Sequence, residues 1–426
     1  MNNYKNAGFI PSNNKIIQHL HIRMDNENSP IESVITQIQN LYNFDTQCFD
    51  FSDKIIINEC LSRLIHAFQH NQTSQNNSFL INFIIILLNS VNDDMNIIES
   101  ALYLSSYFIK SNTFGYDELL PALLSTSICF IKTHQISILT CINALEDQKF
   151  YDVIVQTDAT QQVIELIEEN NFLPEHFLFL SLCVTKMNFF EEKLLSFGLK
   201  YHQEIFGIHL LSSLASVNKI NLELLSNVVE FHLLNPNREN AESLLTILNL
   251  FALQFPNFFQ SFENFFPLFF NYFDICNDAE KVMHLDIIYL LIPFYSIKLI
   301  SFIHKVVIES ISFSFILIAK ICDVLFIFLQ EVDLNYTDNF ICLETFNVFE
   351  RLLNLDDPRI SIKMSEIVSV LVDINPQLVK SVLAKCTLYQ TLESLMSSEN
   401  EYICSFSKSA IKKINEEDEY DDDDEF

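Results

Sequence analysis

The chain has 426 residues, with 55 acidic and 25 basic side chains and a formal charge of −30. It holds 40 Phe but only 4 glycines and no Trp, and Gly8, Gly115, Gly198 and Gly207 fit no phosphate-loop spacing. Rossmann folds, P-loop NTPases, kinases and most β-barrels are therefore poor candidates. A field of this sign repels phosphate backbones and anionic lipid, which predicts neither a nucleic-acid nor a membrane partner and favours a basic protein segment.

Residues 1–30 read as a polar, partly disordered N-terminal segment, ahead of a helical domain over 31–415. His66 and His70 stand four apart on one helical face. They lack the Glu of an HExxH pattern and a third ligand, so no metal is expected. Across 97–109 the apolar positions 97, 98, 101, 102, 104, 108 and 109 make a broad helical stripe. The uncharged runs 79–91 and 119–131 are short, and 243–262 is interrupted by Asn249, Gln254, Pro256, Asn257 and Gln260. The run 311–329 is broken by Lys320 and Asp323, so no clean span of about 20 apolar residues is found. Asn235-Pro236, Asp357-Pro358 and Asn375-Pro376 each predict an N-cap followed by Pro at the first helical position. The aromatic runs 251–259 and 262–273 read as core payload, with a hydrophobic partner patch as the residual reading.

The ten cysteines form no CxxC pair and sit mostly in apolar runs, as in Ser127-Ile128-Cys129-Phe130. They read as buried thiols in a reducing compartment, which implies a cytoplasmic or nuclear protein. GxSxG is absent, and no nucleophile–base arrangement stands out. The chain is expected to be no enzyme and to use no cofactor. Residues 416–426 hold nine acids and no base, which predicts a disordered acidic tail suited to a basic site on a partner.

A small residue followed by an aliphatic one recurs along the chain: Cys60-Leu61, Ala101-Leu102, Cys141-Ile142 and Cys183-Val184, at steps of 41, 40 and 42. Near the C-terminus Leu352, Asp356, Ile360, Ile367, Val368 and Leu371 map onto Leu395, Glu399, Ile403, Ala410, Ile411 and Ile414, all at a step of 43. Such a period belongs to two- or three-helix repeats. The chain length then holds about ten units that bury one continuous core by stacking. The register blurs between about 190 and 350, where Phe-rich helices obscure it. A globular all-α bundle is the structural alternative.

These residues resemble the armadillo-repeat family, and within it importin-α. Leu87-Leu88-Asn89-Ser90 followed by Ile97-Ile98-Glu99-Ser100-Ala101-Leu102-Tyr103-Leu104-Ser105 is similar to that family's short acceptor loop and third helix. Leu392-Glu393-Ser394-Leu395, the stretch 398–403, Ala410-Ile411 and the acids beyond resemble its final repeat and tail. The resemblance implies a right-handed all-α solenoid of about ten armadillo/HEAT-like repeats. It also implies a protein-binding adaptor for nuclear import that holds a basic segment, or a transport factor, in a concave groove. The family's Trp positions fall here on Ser62, Tyr103, Asn143 and Thr185, and its Asn positions on His66, Tyr107, Asp147 and Phe189. The Trp/Asn ladder itself is lacking, and residues 1–30 carry only Lys5, Lys15 and Arg23 as fixed bases. Tyr103, Tyr107, Asp147 and His66 are the candidate groove residues. The alternative is a generic scaffold that binds its partner through apolar helix surfaces, without recognising nuclear signals.

Overall fold

The computed structural model describes residues 31–43, 48–70, 77–90, 94–111, 118–261, 264–355 and 357–416. The polar segment 1–30 and residues 417–426 of the acidic tail lie outside them. Contacts divide the chain into two compact units, Met1–Lys193 and Leu194–Phe426. Both belong to the all-α solenoid class, built of helical repeats. The strands among the described residues are the two-residue β1 (Tyr42–Asn43) and β2 (Cys48–Phe49), paired antiparallel with Tyr42 opposite Phe49.

In the first unit the helices are α1 (Ile31–Asn40), α2 (Lys54–Gln69), α3 (Asn77–Ser90), α4 (Met95–Ser111), α5 (Leu119–Ile128), α6 (Ser137–Ala144), α7 (Tyr151–Gln156), α8 (Ala159–Glu168) and α9 (Pro174–Met187). Helices α2, α4, α6 and α9 stack on one another in order, as the last helix of each repeat; we call them ladder helices. Helices α1, α3, α5 and α8 back them. The small residues expected to permit this close approach do sit on ladder helices: Cys60, Ala101, Cys141 and Cys183 are all buried. The stripe predicted at 97–109 is buried throughout on α4. Leu87 to Ser90, expected as a loop, form the last turn of α3, with Leu87 and Leu88 in the core.

The second unit holds α10 (Glu192–Lys200, which begins at the division), α11 (Ile205–Ser216), α12 (Ser226–Leu234), α13 (Ala241–Gln254), α14 (Phe258–Ser261), α15 (Phe265–Ile275), α16 (Asp278–Glu309), α17 (Phe315–Glu331), α18 (Leu334–Thr337), α19 (Leu343–Leu353), α20 (Pro358–Ile374), α21 (Pro376–Leu383), α22 (Leu388–Leu395) and α23 (Glu401–Glu416). Glu416, expected in the tail, therefore closes the last helix. The ladder here runs α11, α13, the first half of α16, α17, α20 and α23. Among the described residues the two units thus supply ten ladder helices, matching the expected number of repeats.

The 32-residue helix α16 serves two repeats. Pro293 has no N–H to give the Tyr289 carbonyl, and Tyr295 leaves helical geometry at φ −138°, ψ 23°. Before this kink, Asp286 and Tyr289 meet Lys320 of ladder helix α17. After it, Phe302 packs on Phe270 and Phe273 of α15, and His304 reaches Thr345 of α19 at 3.3 Å. The second half thereby joins the backing row. By length and composition alone, 278–312 is apolar enough to cross a membrane, although Leu285, Ile288, Leu291, Leu299, Phe302 and Val306 are buried in the core of this unit.

The blurred register now has a different cause from the one expected. Ladder helices begin at 54, 95 and 137, then at 174, 205, 241, 278 and 315, then at 358 and 401. The spacing shrinks from 41–42 residues to 31–37 in the middle, and returns to 43 at the end. Ladder helices and the segments between them vary in length there, so a fixed period cannot follow the middle repeats. Two of the three predicted caps are present: Asp357 accepts from the Arg359 N–H, and Asn375 from the Leu378 N–H, each before a Pro at the first position. Asn235 instead ends α12, and Asn237 makes the next cap by accepting from the Glu239 N–H.

Gly207 is required by close approach. A Cβ there would lie 2.0 Å from the Tyr201 carbonyl oxygen, whereas at Gly198 it would meet the movable Leu211 side chain at 2.6 Å. Overpacking costs about 1–3 kcal/mol. Gly207→Ala is expected to lose at least that much and clearly more than Gly198→Ala, as read from urea midpoints. Equal losses would count against the backbone clash.

Candidate functional site

The eight positions singled out by the family pattern fall on, or just past, the ladder helices of the first unit. Ser62 and His66 lie on α2, Tyr103 and Tyr107 on α4, Asn143 on α6 and Thr185 on α9. Asp147 and Phe189 follow the ends of α6 and α9. Neighbouring α2 and α4 thus carry three of the four candidate groove residues, while Asp147 stands beyond its ladder helix.

Several of these side chains hold adjacent repeats together. The Tyr107 hydroxyl donates to the Phe68 carbonyl in the last turn of α2, where carbonyls lack helical partners. Its ring also packs 5.5 Å from that of Phe68. One repeat on, the Asn143 amide donates to the Ser106 carbonyl at 3.0 Å. Gln69 donates to the Tyr103 hydroxyl at 3.4 Å, which leaves the half-buried Tyr103 ring as the aromatic face among the Trp-equivalent positions. His66 is exposed and packs against His70, with ring centroids 4.4 Å apart. Asp147 caps the short 3₁₀ turn Gln148–Phe150 by accepting from the Lys149 N–H, and pairs with the Lys149 ammonium at 3.2 Å. The Ser62 hydroxyl is buried without a hydrogen-bond partner. Thr185 bonds back to Ser181, and the Phe189 N–H closes α9 on the Cys183 carbonyl.

In the second unit, few cations face the ladder, and they are engaged between neighbouring helices. Lys320 of α17 pairs with Asp286 and lies 5.3 Å over the Tyr289 ring. Lys363 of α20 lies 4.3 Å over Phe326 and pairs with Glu366 at 2.6 Å. Lys413 of α23 pairs with Asp373 of α20. Each ammonium finds an aromatic face, a carboxylate or both on an adjoining turn.

The buried reactive groups are tuned away from chemistry. Burial pushes the Cys60 thiol up to about 11 and those of Cys141, Cys276 and Cys322 up to about 12, so they stay protonated. Burial lowers His176 to about 4; its Nδ1 accepts from the Leu173 N–H at 2.9 Å. Burial also lowers His284 far below the ordinary imidazole range. That ring stacks 3.6 Å from Phe269, and neither nitrogen has a hydrogen-bond partner. Among the described residues no group of three or more His, Cys, Asp or Glu is placed to hold a metal ion.

The comparisons with known proteins concern fold. No family model matches the chain, and no curated protein matches it. An engineered protein solved by the Northeast Structural Genomics Consortium is similar in structure at a TM-score of 0.60, with 10% identity, over 91% of this chain and 99% of its own. A chain from a study of the phosphorylation switch that controls the interaction between cadherin and β-catenin aligns at a TM-score of 0.48, with 9% identity, over 91% of each chain. The first likeness supports the helical-repeat fold and carries no activity with it.

Two predictions follow from this geometry. Tyr107→Phe and Asn143→Ala should each cost about 0.5–1.5 kcal/mol of stability, read from denaturation midpoints; no loss in either would show that these bonds do not hold the repeats. His176 and His284 are neutral when folded and ordinary when unfolded, so unfolding takes up protons below about pH 6.5. Stability should fall as pH drops from there toward 4, and His284→Phe should flatten the fall. An unchanged slope in that variant would remove His284 from the account.

Proposed function

We propose that this chain is a non-enzymatic protein-binding scaffold that holds an extended, basic segment of a partner along its ladder helices. The observation that carries the reading is the acid-and-ring pair of Asp286 and Tyr289 on ladder helix α16, which takes up Lys320 of the next ladder helix, within a chain of net charge −30. Such pairs already take up the chain's own lysines, and a partner's lysine would meet the same chemistry. Long-range attraction from the acidic body would speed the encounter. In the first unit Tyr103 and His66 offer side chains to such a segment, whereas Tyr107 and Asp147 would contribute through the backbone they fix. Nuclear import, with a cytoplasmic and nuclear address, is the narrower form of the proposal, and the acidic tail would add a contact to a basic partner site. A second reading, in which the partner is held through apolar helix surfaces, is favoured by the exposed Leu253, Phe255, Phe294 and Ile297.

The test is a fluorescence-anisotropy titration of a Lys/Arg-rich peptide at low and high salt, beside a Lys→Ala control peptide. Binding that weakens strongly with salt, vanishes in the control and drops several-fold in Tyr103→Ala is expected. No binding at low salt would overturn the basic-segment reading and leave the apolar one.

A further inference from the structure

Among the exposed apolar side chains of the second unit, four belong to the end of α13 and the bend of α16. Leu253 is 57% exposed, Phe255 42%, Phe294 55% and Ile297 59%. The Tyr295 hydroxyl donates to the Pro256 carbonyl at 2.7 Å, which ties the loop after α13 to the kink and brings the two segments that carry these residues together. Soluble surfaces seldom keep a contiguous apolar patch of this kind unless something binds there. The fold requires the bend but not the exposure: Phe251, Phe259, Phe265 and Phe269 from the same aromatic runs are fully buried.

Charge identifies what would cover it. In a chain with 55 acids, the segments 250–261 and 287–303 contain none. Their one charge is Lys298, whose ammonium lies 5.3 Å from the Phe266 ring centroid and 5.8 Å from that of Tyr295. It sits on rings at the patch margin, and among the described residues it has no ion-pair partner. The surface is therefore apolar with a cationic margin, within a molecule that is otherwise strongly acidic.

We propose that this surface at the Pro293 bend docks an amphipathic segment of a partner protein whose apolar side chains cover Phe255, Phe294 and Ile297 and whose flanking carboxylate meets Lys298. This rests on the scaffold reading, and it names a site and a partner chemistry separate from the basic segment. Lys298 is exposed beside the rings, where a carboxylate on the incoming segment would gain a charge-assisted contact. The segment's apolar face would supply most of the affinity.

The test uses the full chain and a labelled peptide with Leu at i, i+3, i+4 and i+7 flanked by Glu, followed by anisotropy at 0.15 M salt. There the screening length is about 8 Å, and the distant acids count little. Comparison peptides carry Lys flanks, or Ala in place of Leu. The expected result is binding lost with the Ala peptide and weaker with Lys flanks. It should be weakened about tenfold by Phe294→Ser or Ile297→Ser, and several-fold by Lys298→Glu. Lys298→Glu should also improve binding of the Lys-flanked peptide, a gain that misfolding cannot produce. Affinity equal in native and variant chains, or tighter binding of the Lys-flanked peptide to the native chain, would overturn the proposal. So would a dimer in sedimentation equilibrium that Ile297→Ser dissolves, since a second copy would then be the occupant. Binding of the Lys/Arg-rich peptide should be unaffected by Phe294→Ser, so failure of this site leaves the basic-segment titration intact as a separate result.

Discussion

No repeat of this chain buries its apolar face alone, so everything else depends on how closely one ladder helix can approach the next. That approach is set by small side chains. Cys60, Ala101, Cys141 and Cys183 provide it in the first unit. In the second, the hydroxyls of Ser365 and Ser407 meet at 3.5 Å, and the Cys322 sulfur lies 3.5 Å from that of Met364. Bulk added at such sites would push whole helices apart, because the interior is close-packed. The same packing removes water from the sulfurs, which is why these thiols are held protonated and unreactive. Here cysteine supplies volume rather than reactivity.

Close stacking also decides what polar residues on the ladder can do. The carbonyls of a helix's last turn need partners, and the adjoining repeat supplies one where Tyr107 reaches Phe68. A side chain so engaged sets the register between repeats. In the proposed scaffold role it would act by keeping the ladder stiff, which lowers the ordering cost of holding an extended segment. Tyr103, whose hydroxyl accepts at its edge from Gln69, leaves its half-buried ring outside that bond. Two tyrosines four residues apart on one helix are therefore engaged differently: Tyr107 bonds the backbone of the preceding repeat, and Tyr103 meets a side chain there.

The ladder was legible in the sequence wherever spacing stayed regular. Small-plus-aliphatic pairs marked α2, α4, α6 and α9, and the 43-residue step marked the last two repeats, because stacking demands the same residue sizes at each turn. The middle was not legible, because the spacing shortens and α16 serves two repeats without a loop; Pro293 was its only written sign. The cap expected at Asn235 lies instead at Asn237, since two Asn flank Pro236 and only tertiary packing decides which one starts the turn. For the site, the pattern placed His66, Tyr103 and Tyr107 on adjoining helices. It could not show that Tyr107 bonds a backbone 39 residues away. The aromatic runs read as core, correctly for Phe259 and Phe269, whereas the exposure of Phe255 depends on how the loop after α13 meets the bend.

Scarcity of cations ties these features together. With 25 bases against 55 acids, each lysine on the ladder is a local event in an acidic field. Lys320 joins one helix to the next through a carboxylate and a ring, Lys363 through the Phe326 ring while it pairs with Glu366 of its own helix, and Lys413 through a carboxylate. Each such exposed or half-exposed pair is worth little by itself, about 0–1 kcal/mol. An incoming lysine can therefore exchange with one at small cost to the fold. Lys298 differs in having rings and, among the described residues, no ion-pair partner. A repeat stack of this composition can thus carry two unlike kinds of position, those with an acid and a ring beside a lysine and an apolar bend with one cation, which is why two partner chemistries are proposed for it. What separates them is the removal of acids from 250–261 and 287–303, which no packing requirement of the buried Phe residues demands.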